Sequence, residues 1–235
     1  WTSTCSKRVR ITLAEKNLEW VSHHISLKDL EHLEPWYVKL NSEGVVPTLD
    51  HDGKILTESN FIIEYLDEVF PDNPLRPSDH YERWKMRNWM HRFEAVLHKN
   101  INTISFVKQN RIKRYEAFSE EELLNFLSHQ VNAERRASYE KRIRNGVSAA
   151  EMVFAEDRIA EVVDEMNIAL EGKSFLNGDR VSLADISVAP FIERLEANAL
   201  NQLTDWTKRP HLGSWWSTMQ ELPSYKKAFD FTMPN

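Results

Sequence analysis

The stretch VVPTLDHDGKILTES, residues 45–59, constrains the fold more strongly than any other part of this chain. Because the residue before a proline is held in extended geometry, Val46 and Pro47 predict the start of a strand. The Asp-Gly pair at 52–53 accepts positive φ and predicts a tight hairpin turn. Polar residues at 57–60 then predict the start of a helix. The stretch therefore predicts a strand, a hairpin, a second strand and a helix in immediate succession.

The residues around this stretch extend the pattern into a small α/β unit. We expect a helix from Ser6 to Leu18, and the alternation in WVSHHISL predicts a strand over 20–27. A buried strand normally feeds the first helix of such a unit, so we expect a short strand to precede Trp1. Pro71 stops the last helix. The buried face of that helix is expected to comprise Phe61, Ile62, Tyr65, Leu66 and Val69.

Strand signals end at a proline-rich segment. Three prolines fall within residues 71–79, which indicates a linker. Downstream, three Ser-x-x-Glu or Ser-x-x-Asp capping boxes each predict a helix start, at 119–122, 148–151 and 182–185. The predicted organisation is an α/β domain at 1–70, a linker at 71–79 and an all-helical domain at 80–235.

Composition excludes several classes of partner. The net charge is −6 and no block of Lys or Arg is present, which argues against nucleic-acid binding. The single cysteine excludes an internal disulfide framework and favours a reducing compartment, and no apolar run is long enough to span a membrane. His23, His24 and His91 lack the spacing of metal ligands. We therefore expect a cytoplasmic protein with no nucleic-acid, membrane or metal partner.

Four motifs together resemble the cytosolic glutathione transferases. They are STCSKRVR at 3–10, VPTL at 46–49, TES at 57–59 and FLNGDRVSLADI at 175–186. The resemblance extends over essentially the whole chain. It implies the glutathione transferase fold, an α/β thioredoxin-like N-terminal domain followed by an all-α C-terminal helical domain. It also implies a homodimer and glutathione as the cosubstrate.

The resemblance further implies a glutathione site within the α/β domain. The peptide bond before Pro47 is expected to be cis, and Val46 is expected to pair with the cysteinyl backbone of glutathione as an added strand would. Ser59 begins a helix whose free N–H groups suit the γ-glutamyl carboxylate, and Glu58 can take the α-amino group. The candidates for the glycyl carboxylate, which the family holds with a basic or amide residue, are His32 and Lys39.

Two residues are candidates for activating the thiol. The resemblance places Ser3 where serine-type members keep the hydroxyl that hydrogen-bonds the glutathione thiolate. Cys5 takes the cysteine position of zeta-class members and of the reductive dehalogenase for chlorinated hydroquinones. The helix start and the nearby Lys7, Arg8 and Arg10 would favour a thiolate on Cys5 or on glutathione. Ser3 implies conjugation, ring substitution or aryl-ether cleavage, whereas Cys5 implies a mixed disulfide, as in reductive dehalogenation or thiol transfer.

Further segments favour a hydrophobic aromatic electrophile as the second substrate. HDGKILTES, YLDEVFPD and RIRNG resemble serine-type bacterial β-aryl etherases, whereas ERLEANALNQLTDWTKRPHLGSWW resembles the hydroquinone dehalogenase. The long helical stretch around 105–158 and Thr4 disfavour a zeta-class maleylacetoacetate isomerase. Trp89 and Phe93, on the first long helix of the second domain, are candidates for lining the substrate pocket.

An alternative from another class is a non-catalytic transferase-like module that serves protein contacts. Such a module needs the fold but not the ligand-facing groups. This chain keeps those groups together: Ser3, Cys5, Val46, Pro47, Glu58 and Ser59. The sequence therefore favours a glutathione-dependent enzyme.

Overall fold

A computed structural model of the chain describes residues 3–109 and 111–230. Its N-terminal part is a small α/β unit in which helices flank a two-stranded hairpin. The strand expected before Trp1 lies outside the described residues. In chain order the elements are α1 (Thr4–Glu15), a 3₁₀ turn (Glu31–Leu33), α2 (Pro35–Val38), β1 (Leu49–His51), β2 (Lys54–Leu56) and α3 (Ser59–Val69).

The predicted hairpin is confirmed. β1 and β2 pair antiparallel, with Leu49 opposite Leu56. Between them Asp52 and Gly53 adopt φ values of 53° and 80°, the positive values that an Asp-Gly pair accommodates in a two-residue hairpin turn. The Asp50 carboxylate accepts a hydrogen bond from the Gly53 N–H at 2.8 Å, which closes the turn.

Two strand predictions differ from the structure. Residues 20–27 contain no strand, and Val21 is 81% exposed. β1 begins at Leu49 rather than at Val46. A strand needs a neighbour for its backbone hydrogen bonds, and the described part of the chain places no strand beside residues 20–27.

The buried face of α3 also differs in part from the prediction. Ile62, Ile63 and Leu66 are buried, whereas Phe61 is 70% exposed and Val69 is exposed as well. Three consecutive apolar residues at 61–63 are compatible with more than one apolar stripe. Packing against α1 selects the stripe that contains Ile63.

The C-terminal part consists of helices and has no named strand among its described residues. Its elements are α4 (His80–Arg92), a π-helical segment (Phe93–His98), α5 (Lys99–Lys108), α6 (Lys113–Glu116), α7 (Glu120–Ser128), α8 (Ala133–Asn145), α9 (Ala149–Ala169), α10 (Leu183–Ala197), α11 (Pro210–Glu221) and α12 (Pro223–Phe229). The predicted linker lies between α3 and α4. Within the described ranges, no helix combines the length and apolar character needed to cross a bilayer.

The three predicted capping boxes are confirmed. Ser119, Ser148 and Ser182 cap the starts of α7, α9 and α10, and in each box the acidic residue three positions later bonds back to the cap. These reciprocal bonds satisfy backbone donors that a helix start leaves free. They are local in sequence, which is why the motif alone locates them.

Two hydrophobic clusters stabilise the fold. The main core surrounds α10, and α1 packs against α3, α10 and α12. This docks the N-terminal unit onto the helical domain. A second, separate cluster forms where the 3₁₀ turn meets the end of α5 and the helices that follow it. Its buried members are Leu33, Phe106, Tyr115, Leu123, Phe126 and Leu127.

A buried carboxylate fixes the chain between α3 and α4. Asp67 lies 2.8 Å from Lys16 Nζ, and neither side chain is exposed. Asp67 also accepts hydrogen bonds from the Leu75 N–H at 2.8 Å and from Arg76 at 2.7 Å. Since a buried charge is tolerated only when it is paired and hydrogen-bonded, this group holds α1, α3 and the predicted linker in one arrangement.

Asp185, in the capping box of α10, joins three segments of the main core. It is fully buried and accepts hydrogen bonds from the Ser182 N–H and the Leu176 N–H, both at 2.9 Å. Its Oδ1 also accepts from the Trp215 indole at 2.8 Å. The helix start, the preceding turn and α11 therefore depend on one carboxylate.

Replacing Asp185 by Ala is expected to lower the free energy of unfolding by about 3 kcal/mol or more, because several buried donors lose their acceptor. Urea unfolding of the full chain measures this change. The control is Asp179→Ala, an exposed position nearby, for which a change within about 0.5 kcal/mol is expected. Equal unfolding free energies for the two variants would contradict the role given to Asp185.

Candidate active site

Arg8 lies at the centre of the site and is fully buried. Its Nε donates to the Ser187 carbonyl at 2.8 Å. Its Nη1 lies 3.0 Å from Ser59 Oγ and 2.8 Å from Glu94 Oε2, and the guanidinium stacks over the Phe191 ring at 4.5 Å from the centroid. Nη2 is buried without a partner among the described residues. Arg8 thus connects the start of α3 with two helices of the C-terminal domain.

The start of α3 offers donors to an anion. The N–H groups of Ser59, Asn60 and Phe61 have no hydrogen-bond partner within the described chain, as is usual for the first turn of a helix. Ser59 is buried and accepts a hydrogen bond from Arg8, and a serine hydroxyl can donate one hydrogen bond as well as accept. Glu58 precedes it with φ 63° and ψ 100°, an unusual conformation for a residue other than glycine. Together these groups can hold a carboxylate.

Val46, upstream of the anion site in sequence, has free backbone hydrogen-bonding groups. The Val46-Pro47 peptide bond is cis, as predicted. The Val45 carbonyl is occupied, because it accepts from Tyr37 Oη at 2.8 Å and from Asn41 Nδ2 at 2.7 Å. In contrast, neither the N–H nor the carbonyl of Val46 has a partner among the residues described. Val46 can therefore pair with an extended peptide.

Ser3 lies at the N-terminus of α1 and caps it. Its Oγ accepts from the Ser6 N–H at 3.1 Å, so α1 begins at Thr4 rather than at the predicted Ser6. The cap uses the hydroxyl as an acceptor, and the O–H remains available to donate. Ser3 is half-buried, so that donor is accessible to a ligand.

Cys5 contacts the anion end of the site. Its thiol hydrogen-bonds with the side chains of Ser59 and Thr4. Burial raises the pKa of the Cys5 thiol, Glu94 adds to the rise, and the opposing effects of Arg8 and the two hydrogen bonds are smaller. The thiol is therefore protonated at neutral pH. The expectation of a thiolate on Cys5 is wrong, because desolvation outweighs the nearby positive charge.

A Glu-His pair that the sequence analysis missed lies in the same cluster. Glu94 bonds to Arg8 through Oε2 and to His98 Nδ1 through Oε1. Burial alone would raise the pKa of Glu94, but the His98 hydrogen bond and the Arg8 charge hold it at about 2. The Glu-x-x-x-His spacing was the available signal, since residues four apart on a helix are neighbours.

Family comparisons fit this geometry. The family described as "Glutathione S-transferase, N-terminal domain" matches residues 2–69, and "Glutathione S-transferase, C-terminal domain" matches residues 135–223. Over 225 residues the chain is 31% identical to Protein LigF of Sphingobium sp. strain SYK-6, covering 93% of this chain and 86% of LigF. The chain belongs to the glutathione S-transferase family.

One further relative and the crystal structure of LigF agree. Glutathione S-transferase 1 of Dianthus caryophyllus is 31% identical over 191 residues, covering 81% of this chain and 72% of that protein. The crystal structure of beta-etherase LigF from Sphingobium sp. strain SYK-6 superposes with a TM-score of 0.87 at 28% identity, covering 95% of this chain and 93% of LigF. The present glutathione transferase has the two domains of its family, and glutathione is its cosubstrate.

The two residues predicted to line the pocket of this transferase pack against each other, Trp89 on α4 and Phe93 at the start of the π-helical segment. Phe93 is fully buried in the main core and stacks on Trp89 at a centroid distance of 5.4 Å. Burial leaves Phe93 no surface for a substrate, which corrects the prediction for this residue. Trp89 is half-buried and lines a shallow groove with Arg92 and Ile168, and this groove shares no lining residue with the Arg8 cluster.

The two candidates for the glycyl carboxylate of glutathione differ in charge. Burial, assisted by Arg114 and Arg135, lowers the pKa of His32 to about 4, so its imidazole is neutral at pH 7. Lys39 is exposed just after α2. An ammonium attracts a carboxylate more strongly than a neutral imidazole does, which favours Lys39 of the two.

The raised thiol pKa predicts slow alkylation at neutral pH. Cys5 is the single cysteine, so iodoacetamide uptake, read by intact mass, reports on it alone. The rate should rise with pH through a midpoint above that of an ordinary thiol, because the thiolate is the nucleophile. Free glutathione at the same concentration is the reference. A midpoint below that of glutathione would show that Cys5 is an activated thiol.

Proposed function

We propose that this glutathione transferase cleaves aryl ethers of hydrophobic aromatic compounds with the thiolate of glutathione. Its likeness in sequence and fold to beta-etherase LigF over nearly the full length of both chains carries the proposal. In this reaction the glutathione sulfur bonds to the carbon of the ether link, and the C–O bond breaks. The electron pair leaves with the aryl oxygen, which becomes a phenol on taking up the proton released by the thiol.

The free groups of the site fit an extended tripeptide held at both ends. Val46 pairs with the cysteinyl backbone through its unpartnered N–H and carbonyl. The γ-glutamyl carboxylate lies at the start of α3, where Ser59 and the first-turn N–H groups donate to it. Glu58, exposed beside them, takes the α-amino group. Lys39 holds the glycyl carboxylate.

Ser3 is the residue that stabilises the attacking thiolate. Its O–H is free to donate, and a hydrogen bond to an ionised sulfur favours the thiolate. Cys5 instead bonds to Ser59, at the end of the site that takes the γ-glutamyl carboxylate, and its pKa is raised. Thiolate attack assisted by Ser3 is thus favoured over the cysteine-dependent alternative, reductive dehalogenation or thiol transfer through a mixed disulfide.

The surface of α3 and α4 favours a homodimer. Phe61, Tyr81 and Trp84 are 70%, 64% and 57% exposed, and the rings of Tyr81 and Trp84 stack at 5.5 Å. The Arg87–Glu64 ion pair, at 2.7 Å, joins the two helices one turn away from Trp84 and Phe61. Exposed aromatic surface of this kind typically marks an interface, and we assign it to a second copy of the chain.

Variants at Ser3 and Cys5 test the reaction. Ser3→Ala is expected to lower kcat/KM for a β-aryl ether and for 1-chloro-2,4-dinitrobenzene about 10- to 100-fold, the loss of one hydrogen bond to a charged group. Cys5→Ala should stay within about threefold of wild type. Ser119→Ala is the matched control, because it removes an N-cap outside the site.

Mass spectrometry of the products separates the alternatives. A chlorinated hydroquinone that stalls as a glutathionyl conjugate in Cys5→Ala, but not in wild type, would establish the cysteine-dependent reaction instead. Absence of turnover and of glutathione binding in the millimolar range would indicate a non-catalytic module.

The dimer assignment predicts that Trp84→Glu shifts the full chain toward monomer in sedimentation velocity, because a charge enters the apolar surface. Leu124→Glu is the control, since Leu124 is 53% exposed on α7, away from α3 and α4. A monomeric wild-type protein at micromolar concentration would exclude the dimer.

A further inference from the structure

Arg135, in the first turn of α8, reaches from the helical domain to the loop that precedes the cis proline. None of the residues of α8 is buried, and its first turn is attached by polar contacts. Arg135 Nη1 donates to the Glu43 carbonyl at 2.5 Å. The N-cap residue Asn132 donates through Nδ2 to Glu43 Oε2 at 3.2 Å. The start of α8 therefore lies against residue 43 of the N-terminal unit.

These contacts use only part of the Arg135 guanidinium. Its Nε and Nη2 make no hydrogen bond within the described chain, and Nη2 lies 3.5 Å from Glu43 Oε2. The Arg135 side chain is 31% exposed. A guanidinium carries five N–H donors and stays charged in proteins, and it can hold a carboxylate through two of those donors. Arg135 can therefore bind an anion while it keeps its bond to the Glu43 carbonyl.

The loop that Arg135 contacts leads directly to the free backbone groups of Val46. Glu43 and Val46 are three residues apart, a span of at most about 11 Å. The loop between them is fixed, because the Gly44 N–H donates to the Asn41 carbonyl at 2.9 Å and the Val45 carbonyl also accepts from Asn41. Arg135 thus lies close to the backbone groups that pair with the cysteinyl residue of glutathione.

His32 indicates which end of glutathione faces Arg135. Its carbonyl packs on Gly44, where a Cβ would lie 3.2 Å from the His32 oxygen. The charges of Arg114 and Arg135 act on the imidazole, and together with burial they lower the pKa of His32 to about 4. His32 is one of the two residues predicted for the glycyl carboxylate. Since Ser59 takes the opposite, γ-glutamyl end, the group around His32 belongs to the glycyl end.

We propose that Arg135 binds the glycyl carboxylate of glutathione, as a second cationic group in addition to Lys39. The inference rests on the proposed mode of glutathione binding and not on the reaction that follows. Glutathione is then held by both domains, because Val46 and Ser59 belong to the N-terminal unit and Arg135 to the helical domain. Arg135 is a binding residue and takes no part in the bond changes at sulfur.

The test compares glutathione with its glycyl monoethyl ester, which lacks the negative charge of that carboxylate and keeps the rest of the peptide. Isothermal titration calorimetry measures the dissociation constants. Arg135→Gln is expected to weaken binding of glutathione about 10-fold or more, the loss of hydrogen bonding to a charged group. Binding of the ester should change less than about threefold.

Arg136→Gln is the matched control. Arg136 is the next residue of α8, is exposed, and donates to the Gln130 carbonyl rather than to Glu43. This variant should bind glutathione and the ester within about threefold of wild type.

The outcomes separate a role in binding from a role in folding. A structural role of Arg135 would weaken binding of both ligands equally, and that result would overturn the inference, as would an unchanged affinity for glutathione. A wild-type protein that binds the two ligands equally well would exclude a cationic group at the glycyl end altogether. A loss confined to glutathione supports the inference.

The proposed reaction is tested apart from this binding comparison. Turnover of a β-aryl ether by the wild-type protein is measured at saturating glutathione. Absence of that turnover would overturn ether cleavage and leave the assignment of Arg135 standing, because the dissociation constants do not depend on the second substrate.

Discussion

The buried guanidinium of Arg8 is the interaction on which the rest of the site depends. It donates hydrogen bonds to Ser59 in the N-terminal domain and to Ser187 and Glu94 in the C-terminal domain. An unpaired charge at this depth would cost several kcal/mol, about the size of a large mutational effect. The arrangement of the site therefore depends on the docking of the two domains. Separating them would leave Arg8 without most of its hydrogen-bond partners.

The features that sequence predicts well are those encoded within a few residues. The hairpin at Asp52-Gly53 and the capping boxes at Ser119, Ser148 and Ser182 need only a turn pair or an i,i+3 spacing, and each is confirmed. The prediction of a strand over 20–27 was wrong. A strand forms only when a second strand, often distant in sequence, pairs with its backbone. Ser59 could be placed at a helix start from its motif, but nothing local revealed that Arg8 would bond to it.

The protonation state of Cys5 could not be predicted from sequence for a related reason. Three basic residues follow it within one and a half turns, yet in the fold each has other partners. Lys7 pairs with Glu193 at 2.8 Å, Arg8 with Glu94, and Arg10 donates to the Ala228 carbonyl. Charge counted along the chain therefore overstates the field at the thiol. Desolvation, which only the three-dimensional packing reveals, decides the direction of the pKa shift.

The second hydrophobic cluster is packed separately from the main core. Tyr115, Leu123 and Phe126 pack with one another and with Leu33, apart from the main core around α10. The segment from α6 to α7, residues 113–128, also lies between the two segments that match the family's N-terminal and C-terminal domains. A part of the chain with its own small core can change in length and sequence while the main core stays packed, since changes without shared contacts act nearly independently. This segment is therefore where insertions and deletions are tolerated at the lowest cost to folding, and where members of one enzyme family can acquire different surfaces on a common scaffold.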